Sequence, residues 1–269
     1  MRTRARLATI LLAFLLPAAA VAAEPAGRLL VHAGRLVDGV SDAPREKVTV
    51  VVAGERIVEV VPGFRTPAAG ETLLDLSDAT VLPGFVDLHV HLGMEMSPGA
   101  YIERFTQDPA DLALRAAAHA RTTLRAGFTT VRNLGDSYNT TIALRDAVRA
   151  GWVEGPRIYT AGKSIATTGG HADPTNGWCD LIDFDPGPKE GVANGADEMA
   201  KAVRQRYKDR ADLIKITATG GVLSLARSPS APQFTDDEVA AVVRTARDYD
   251  MAVAVHAHVR LPHQERLRR

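Results

Sequence analysis

A single cysteine, Cys179, stands in the whole chain. No internal disulfide can form. Nothing around Cys179 resembles the setting of a nucleophile, and it reads as a loop or packing residue. Aromatic residues make up only 5% of the sequence, too few for a platform on which nucleic-acid bases stack. Neither sign of charge dominates: 32 Lys and Arg balance 32 Asp and Glu. That excludes a basic nucleic-acid footprint and general attraction to acidic surfaces. Past the N-terminus no apolar run is long enough to span a bilayer. Core-forming residues are plentiful, with 46% of the chain hydrophobic, enough for one large domain or two modest ones.

The N-terminus reads as a secretory signal peptide over residues 1–23. Arg2, Arg4 and Arg6 give a positive start, Leu7 to Leu16 an apolar stretch broken by Thr9, and Ala18 to Ala23 small residues suited to cleavage after Ala22 or Ala23. The apolar stretch is too short to cross roughly 30 Å of hydrocarbon. The expected location is periplasmic or secreted, with no membrane attachment after cleavage.

Residues 24–80 read as a small, incomplete β-sandwich-like domain. Leu29 to Gly39 gives a strand and a turn, Lys47 to Val52 a β-branched run, Ala53-Gly54-Glu55-Arg56 a tight hairpin, and Ile57 to Val61 the return. Leu73 to Leu76 is a further short strand. From residue 81 strands and helices alternate. Strands are expected at 81–91, 129–132, 157–161, 212–217 and 251–256. Helices are expected at 108–125, 138–150, 196–207 and from the Thr235-Asp236-Asp237-Glu238 capping box to Tyr249. The alternation implies an α/β fold with a parallel sheet. Functional residues follow several different strands, which suits the C-terminal face of a (β/α)8 barrel better than the single switch point of an open sheet.

His89 and His91 lie two apart on the first of these strands and so project to one face. His256 and His258 repeat the spacing at the end of the fifth. Neutral imidazoles in pairs suit a divalent transition metal, and two pairs on one sheet are stronger than either alone. Lys215 sits in the apolar run Leu213-Ile214-Lys215-Ile216, where burial lowers an amine's pKa. A lone lysine there would snorkel to the strand end. Beside the histidines, it reads as an amine that takes up carbon dioxide and becomes a carbamate, a carboxylate-like bridging ligand. His171 follows two glycines and either contacts substrate or a developing oxyanion, or is a surface-loop histidine. His258 either touches substrate or supports the metal ligands. Arg132 and Asn133 end the second strand and could orient ligands or substrate. His32 and His119 read as structural.

Pro83-Gly84-Phe85-Val86-Asp87-Leu88-His89-Val90-His91 resembles the first-strand signature of the amidohydrolase superfamily. Leu213 to Ile216 resembles its bridging-lysine strand, and Val253 to His258 its strand-five histidine. Thr168-Gly169-Gly170-His171 and Thr219-Gly220-Gly221-Val222 resemble loops of its exported Xaa-Pro dipeptidase and imidazolonepropionase-like branch. The resemblance runs from about residue 28 to 258 in motif order. It implies a TIM-like barrel with a small β-domain, holding two divalent ions, expected to be zinc. His89 and His91 would bind the first ion, Lys215 as carbamate would bridge, and His256 would bind the second. Such ions bring the pKa of a bridging water to about 7, giving a hydroxide that attacks a metal-polarised amide carbonyl. The expected partner is a dipeptide or other small-molecule substrate, and a homo-oligomer is compatible with the pattern.

The family pattern also calls for a histidine after strand six and a proton-shuttling aspartate after strand eight. Residues 259–269 instead form a basic tail with no strand or helix pattern, and no strand presents His263. Residues 81–258 would hold only the first five β/α units, where a full barrel takes about 250 residues. The expected fold is therefore a partial TIM-like (β/α)8 barrel, strands one to five, followed by an aberrant tail. The expected activity is hydrolysis of carbon–nitrogen bonds, as an Xaa-Pro dipeptidase. The alternatives are a cyclic-amide (imidazolone-like) hydrolase and an inactive truncated member of the lineage. Motif order argues against an unrelated metal-storage or sensing protein.

Overall fold

The computed structural model describes residues 27–222, 224 and 228–258. The expected signal peptide and the basic tail, His263 included, lie outside the described residues. The chain divides into two compact units, Met1–Pro83 and Gly84–Arg269.

In the first unit β1 (Leu29–Leu36), β2 (Arg45–Ala53), β3 (Arg56–Pro62) and β4 (Thr72–Val81) form one sheet in the order β3-β2-β1-β4. The first three strands pair antiparallel, and β4 returns parallel to β1. Gly54, at φ +58°, opens the two-residue turn that the hairpin pattern required. Ala33, Leu36, Val48 and Val50 make the buried cluster of this sheet. The last strand runs well past the expected Leu73–Leu76. It follows β1 to the Val81–Leu36 pair across an irregularity between Ala33 and Arg35. Gly34 permits this, because a Cβ there would lie 2.3 Å from the Ser77 carbonyl oxygen.

The second unit alternates as expected: β5 (Phe85–Val90), α1 (Ala100–Thr106), α2 (Pro109–Arg125), β6 (Phe128–Asn133), α3 (Thr140–Arg149), β7 (Arg157–Thr160), α4 (Gly195–Lys208), β8 (Ile214–Thr217), α5 (Asp236–Asp248) and β9 (Val253–His256). The short α1 is an addition that the sequence pattern did not signal. The strands pair parallel as β5-β6-β7 and as β8-β9. Ile165, just beyond β7, joins the two sets. Its N–H donates to the Lys215 carbonyl at 2.8 Å, and its carbonyl accepts from Thr217 N–H at 3.1 Å. The result is a partial (β/α) barrel in which the described strands do not close.

Helices cover the outer face. Met199, Ala202 and Val203 of α4 and Ala241, Val242 and Ala246 of α5 bury Ile214 and Ile216 of β8. Ala116 and Ala120 of α2 pack with Val131, Ile158 and Leu92. Thr235 caps α5 and Glu238 returns the bond to the Thr235 N–H at 2.7 Å, as the capping-box pattern required. Among the described residues no helix is long and apolar enough to cross a membrane.

Candidate metal centre

Strand alternation decides which side chains face the barrel interior. Ile214 and Ile216 enter the helix-covered core, so Lys215 points to the opposite face of β8. Val253 and Val255 pack toward the same helices, which turns His256 inward. Val90 and Leu92 pack against α2, which leaves His89 and His91 on the interior side. The β5–β6 register slips between Asp87 and Val90, so one residue is inserted there. Side chains satisfy the freed backbone groups: Asp87 Oδ1 accepts the His89 N–H at 2.9 Å, and Arg132 Nε donates to the Leu88 carbonyl at 2.7 Å. Arg132 thus holds the backbone next to His89.

The expected residues gather around Lys215. The rings of His89 and His91 lie 5.3 Å apart. His171 stacks on His256 with centroids 4.4 Å apart, and His258 meets His256 edge-on at 4.7 Å. Lys215 is 3% exposed. Burial, reinforced by the charge of Arg132, pushes its amine down to about 8. Its own charge in turn lowers the pKa of His89, His91, His171 and His256, in each case after the larger effect of burial. Lys215 does not snorkel away; it sits where all four imidazoles feel it.

The four imidazoles are held neutral at neutral pH, the form with a lone pair to offer a metal. Hydrogen bonds assign which nitrogen is free. His91 Nδ1 faces the Gly135 carbonyl at 3.2 Å, and a carbonyl only accepts, so the proton is on Nδ1 and Nε2 is open. His256 Nε2 faces the Gly220 carbonyl at 3.0 Å, so its Nδ1 is open.

His171 is the most perturbed of the group, pushed down to about 4 by burial and by the charges of its neighbours, His256 first. Its Nδ1 is buried without a hydrogen-bond partner among the described residues. The Gly169-Gly170-His171 turn is pinned by Asp173, which accepts Gly169 N–H at 2.7 Å, and by Gln233, which accepts His171 N–H at 2.9 Å. A Cβ on Gly221 would fall 2.3 Å from His171 Cε1, so glycine is needed there. His171 is thus no surface-loop histidine. His258 stands at the rim, exposed, its N–H donated to Thr219 Oγ1 at 3.2 Å. Cys179 is exposed in its loop. Gln233 and Asp173 were missed from sequence, with no local signal to find them, whereas Gly221 stood within the Thr219-Gly220-Gly221-Val222 motif.

Among the described residues, no group of three or more His, Cys, Asp or Glu is drawn closely enough together to hold a metal ion. Neutral imidazoles surround an amine, and a protonated Lys215 would repel a cation. A carbamate on Lys215 would reverse that sign and supply the anionic oxygen ligand the set lacks. With Lys215 so modified, the donor types would suit a divalent metal.

Residues 80–266 match the profile of the amidohydrolase family. The chain belongs to that family. Amidohydrolases generally bind divalent metals. A crystal structure of a Xaa-Pro dipeptidase with methionine bound in its active site is 50% identical, with a TM-score of 0.81, over 86% of this chain and 57% of that one. A prolidase crystallised with N-methylphosphonate-L-proline is 30% identical, with a TM-score of 0.75, over 86% of this chain and 56% of that one. Ochratoxinase of Aspergillus niger is 26% identical over 245 residues, 85% of this chain and 50% of the relative. The chain spans about half the length of the curated relatives it matches.

Proposed function

We propose that the chain carries part of a binuclear, metal-dependent amidohydrolase centre that cleaves Xaa-Pro dipeptides. The observation that carries this reading is the convergence of His89, His91, His171 and His256 on Lys215, an amine 3% exposed and pushed down to about 8. In this reading His89 and His91 would hold one ion, His256 through its open Nδ1 would hold the second, and Lys215, carboxylated, would supply the anionic ligand. Zinc is the expected metal. Divalent ions there would supply Lewis acidity to a water and to the scissile carbonyl.

The remaining work belongs to side chains of this chain. Arg132 holds the β5 backbone that aims His89 and keeps Lys215 easy to neutralise. His171, uncharged at neutral pH, offers a ring N–H to the carbonyl oxygen as it gains negative charge. His258, exposed beside His256, would contact the substrate or support the metal ligands. The N-terminal pattern of arginines, apolar run and small residues supports export. Protein recovered outside the cytoplasm should begin at Ala23 or Glu24 by N-terminal sequencing.

Met-Pro is the dipeptide to assay first, since methionine occupies the active site of the relative that is 50% identical. Release of methionine and proline is the expected result from zinc- and bicarbonate-treated protein in which this segment is continued by strands six to eight, with their histidine and aspartate. Hydrolysis of a cyclic amide but not of Met-Pro would overturn the substrate class.

A further inference from the structure

Asn133 and His119 touch none of the reacting atoms, yet both grip the residue that follows His91. Asn133 is fully buried at 0% exposure. Its Oδ1 accepts the Leu92 N–H at 2.8 Å, and its Nδ2 donates to the Gly135 carbonyl at 3.0 Å. That carbonyl is the one facing His91 Nδ1 at 3.2 Å. The amide has one orientation only, since a flip would set donor against donor and acceptor against acceptor. On the other side, His119 Nδ1 on α2 lies 2.8 Å from the Leu92 carbonyl and must be the donor. Leu92 is thus held at both its N–H and its C=O, and the acceptor for His91 is held by the same asparagine.

We propose that Asn133 and His119 are positioning residues that lock His91 as the Nδ1–H tautomer, with Nε2 kept as the ligand nitrogen. The purpose of this brace rests on the proposed metal centre; its existence does not. A histidine side chain free in water favours the Nε2–H tautomer, so the lock needs a fixed acceptor beside Nδ1. Asn133→Asp keeps shape and the acceptor for Leu92 N–H, but a carboxylate cannot donate to Gly135. The two oxygens repel, and the acceptor for His91 is displaced. His119→Leu releases the Leu92 carbonyl. His119→Asn keeps an N–H donor near the position of Nδ1.

The test is the tautomer of His91 in metal-free, 15N-histidine-labelled protein at about pH 8, where imidazoles are neutral. Long-range proton–nitrogen correlations report it, with the signals assigned by their loss in His91→Gln. The native protein should show Nδ1–H. Asn133→Asp and His119→Leu should shift it to a mixture, and His119→Asn should restore it. In parallel, Co2+ titration should weaken by about 10–100-fold in the first two variants and recover in the third. An unchanged tautomer in both variants, or Nε2–H in the native protein, overturns the proposal. If Asn133→Asp fails to fold, the His119 pair decides, because that side chain is 31% exposed and its loss spares the core. A brace seen by NMR in a protein that binds no Co2+ would support the lock and count against the metal reading alone.

Discussion

In the proposed centre the chemistry turns on Lys215, and its position makes a directional claim about pH. Its amine must be neutral to capture carbon dioxide, and the buried site holds it at about 8. At a fixed CO2 concentration, carboxylation should therefore speed up as pH rises toward 8 and slow about tenfold per unit below it. Incorporation of 13CO2 held at fixed partial pressure, followed by carbamate NMR, measures this, and Lys215→Met should abolish the signal. Gly221 makes a second claim. Gly221→Ala would drive a methyl into the His171 ring, costing about 1–3 kcal/mol of stability and displacing the ring from its stack on His256. Denaturant midpoints and the crystal position of His171 check it. His89, His91, Lys215 and His256 could be read from sequence because residue type and strand parity suffice to place them. Gln233, Asp173 and the role of His119 could not, and Asn133 was legible only as a strand-end residue able to orient a ligand. Their contacts join loops and helices far apart in the chain, and no local spacing encodes such meetings.

At the scale of elements, strands and long helices followed their patterns, because apolar periodicity and capping act locally. The short α1 did not. It is held by Tyr101 against Phe105, with centroids 5.5 Å apart, and by Phe105 against Trp178, at 5.3 Å, from a distant loop. A seven-residue helix is too short to stand on propensity alone. Trp178→Ala should therefore release α1 locally. Hydrogen exchange in 100–106 should accelerate while β8 and β9 keep their protection. The unexpected length of β4 has a similar origin, since its partner is β1, some forty residues earlier in sequence.

For the whole molecule, the histidines couple folding to acidity. His171 is held at about 4 against an ordinary 6.5, and His89, His91 and His256 are lowered too. Below pH 6.5 the unfolded chain binds more protons than the folded one, so stability falls as pH drops from 6.5 toward 4. Urea midpoints across that range should decline, and less steeply in His171→Asn. The strand array also presents an edge. Phe85, Val86 and Leu88 of β5 are 49%, 58% and 56% exposed, and among the described residues β5 pairs only with β6. Such an edge invites pairing between chains, so light scattering should rise with concentration and fall in Val86→Lys.

The most direct test of the account is bound zinc per chain, measured by mass spectrometry after equilibration with zinc and bicarbonate and removal of free metal. The protein should retain zinc, and Lys215→Met, folded by circular dichroism, should retain at least about tenfold less. Equal zinc in the two proteins would contradict a centre built on Lys215.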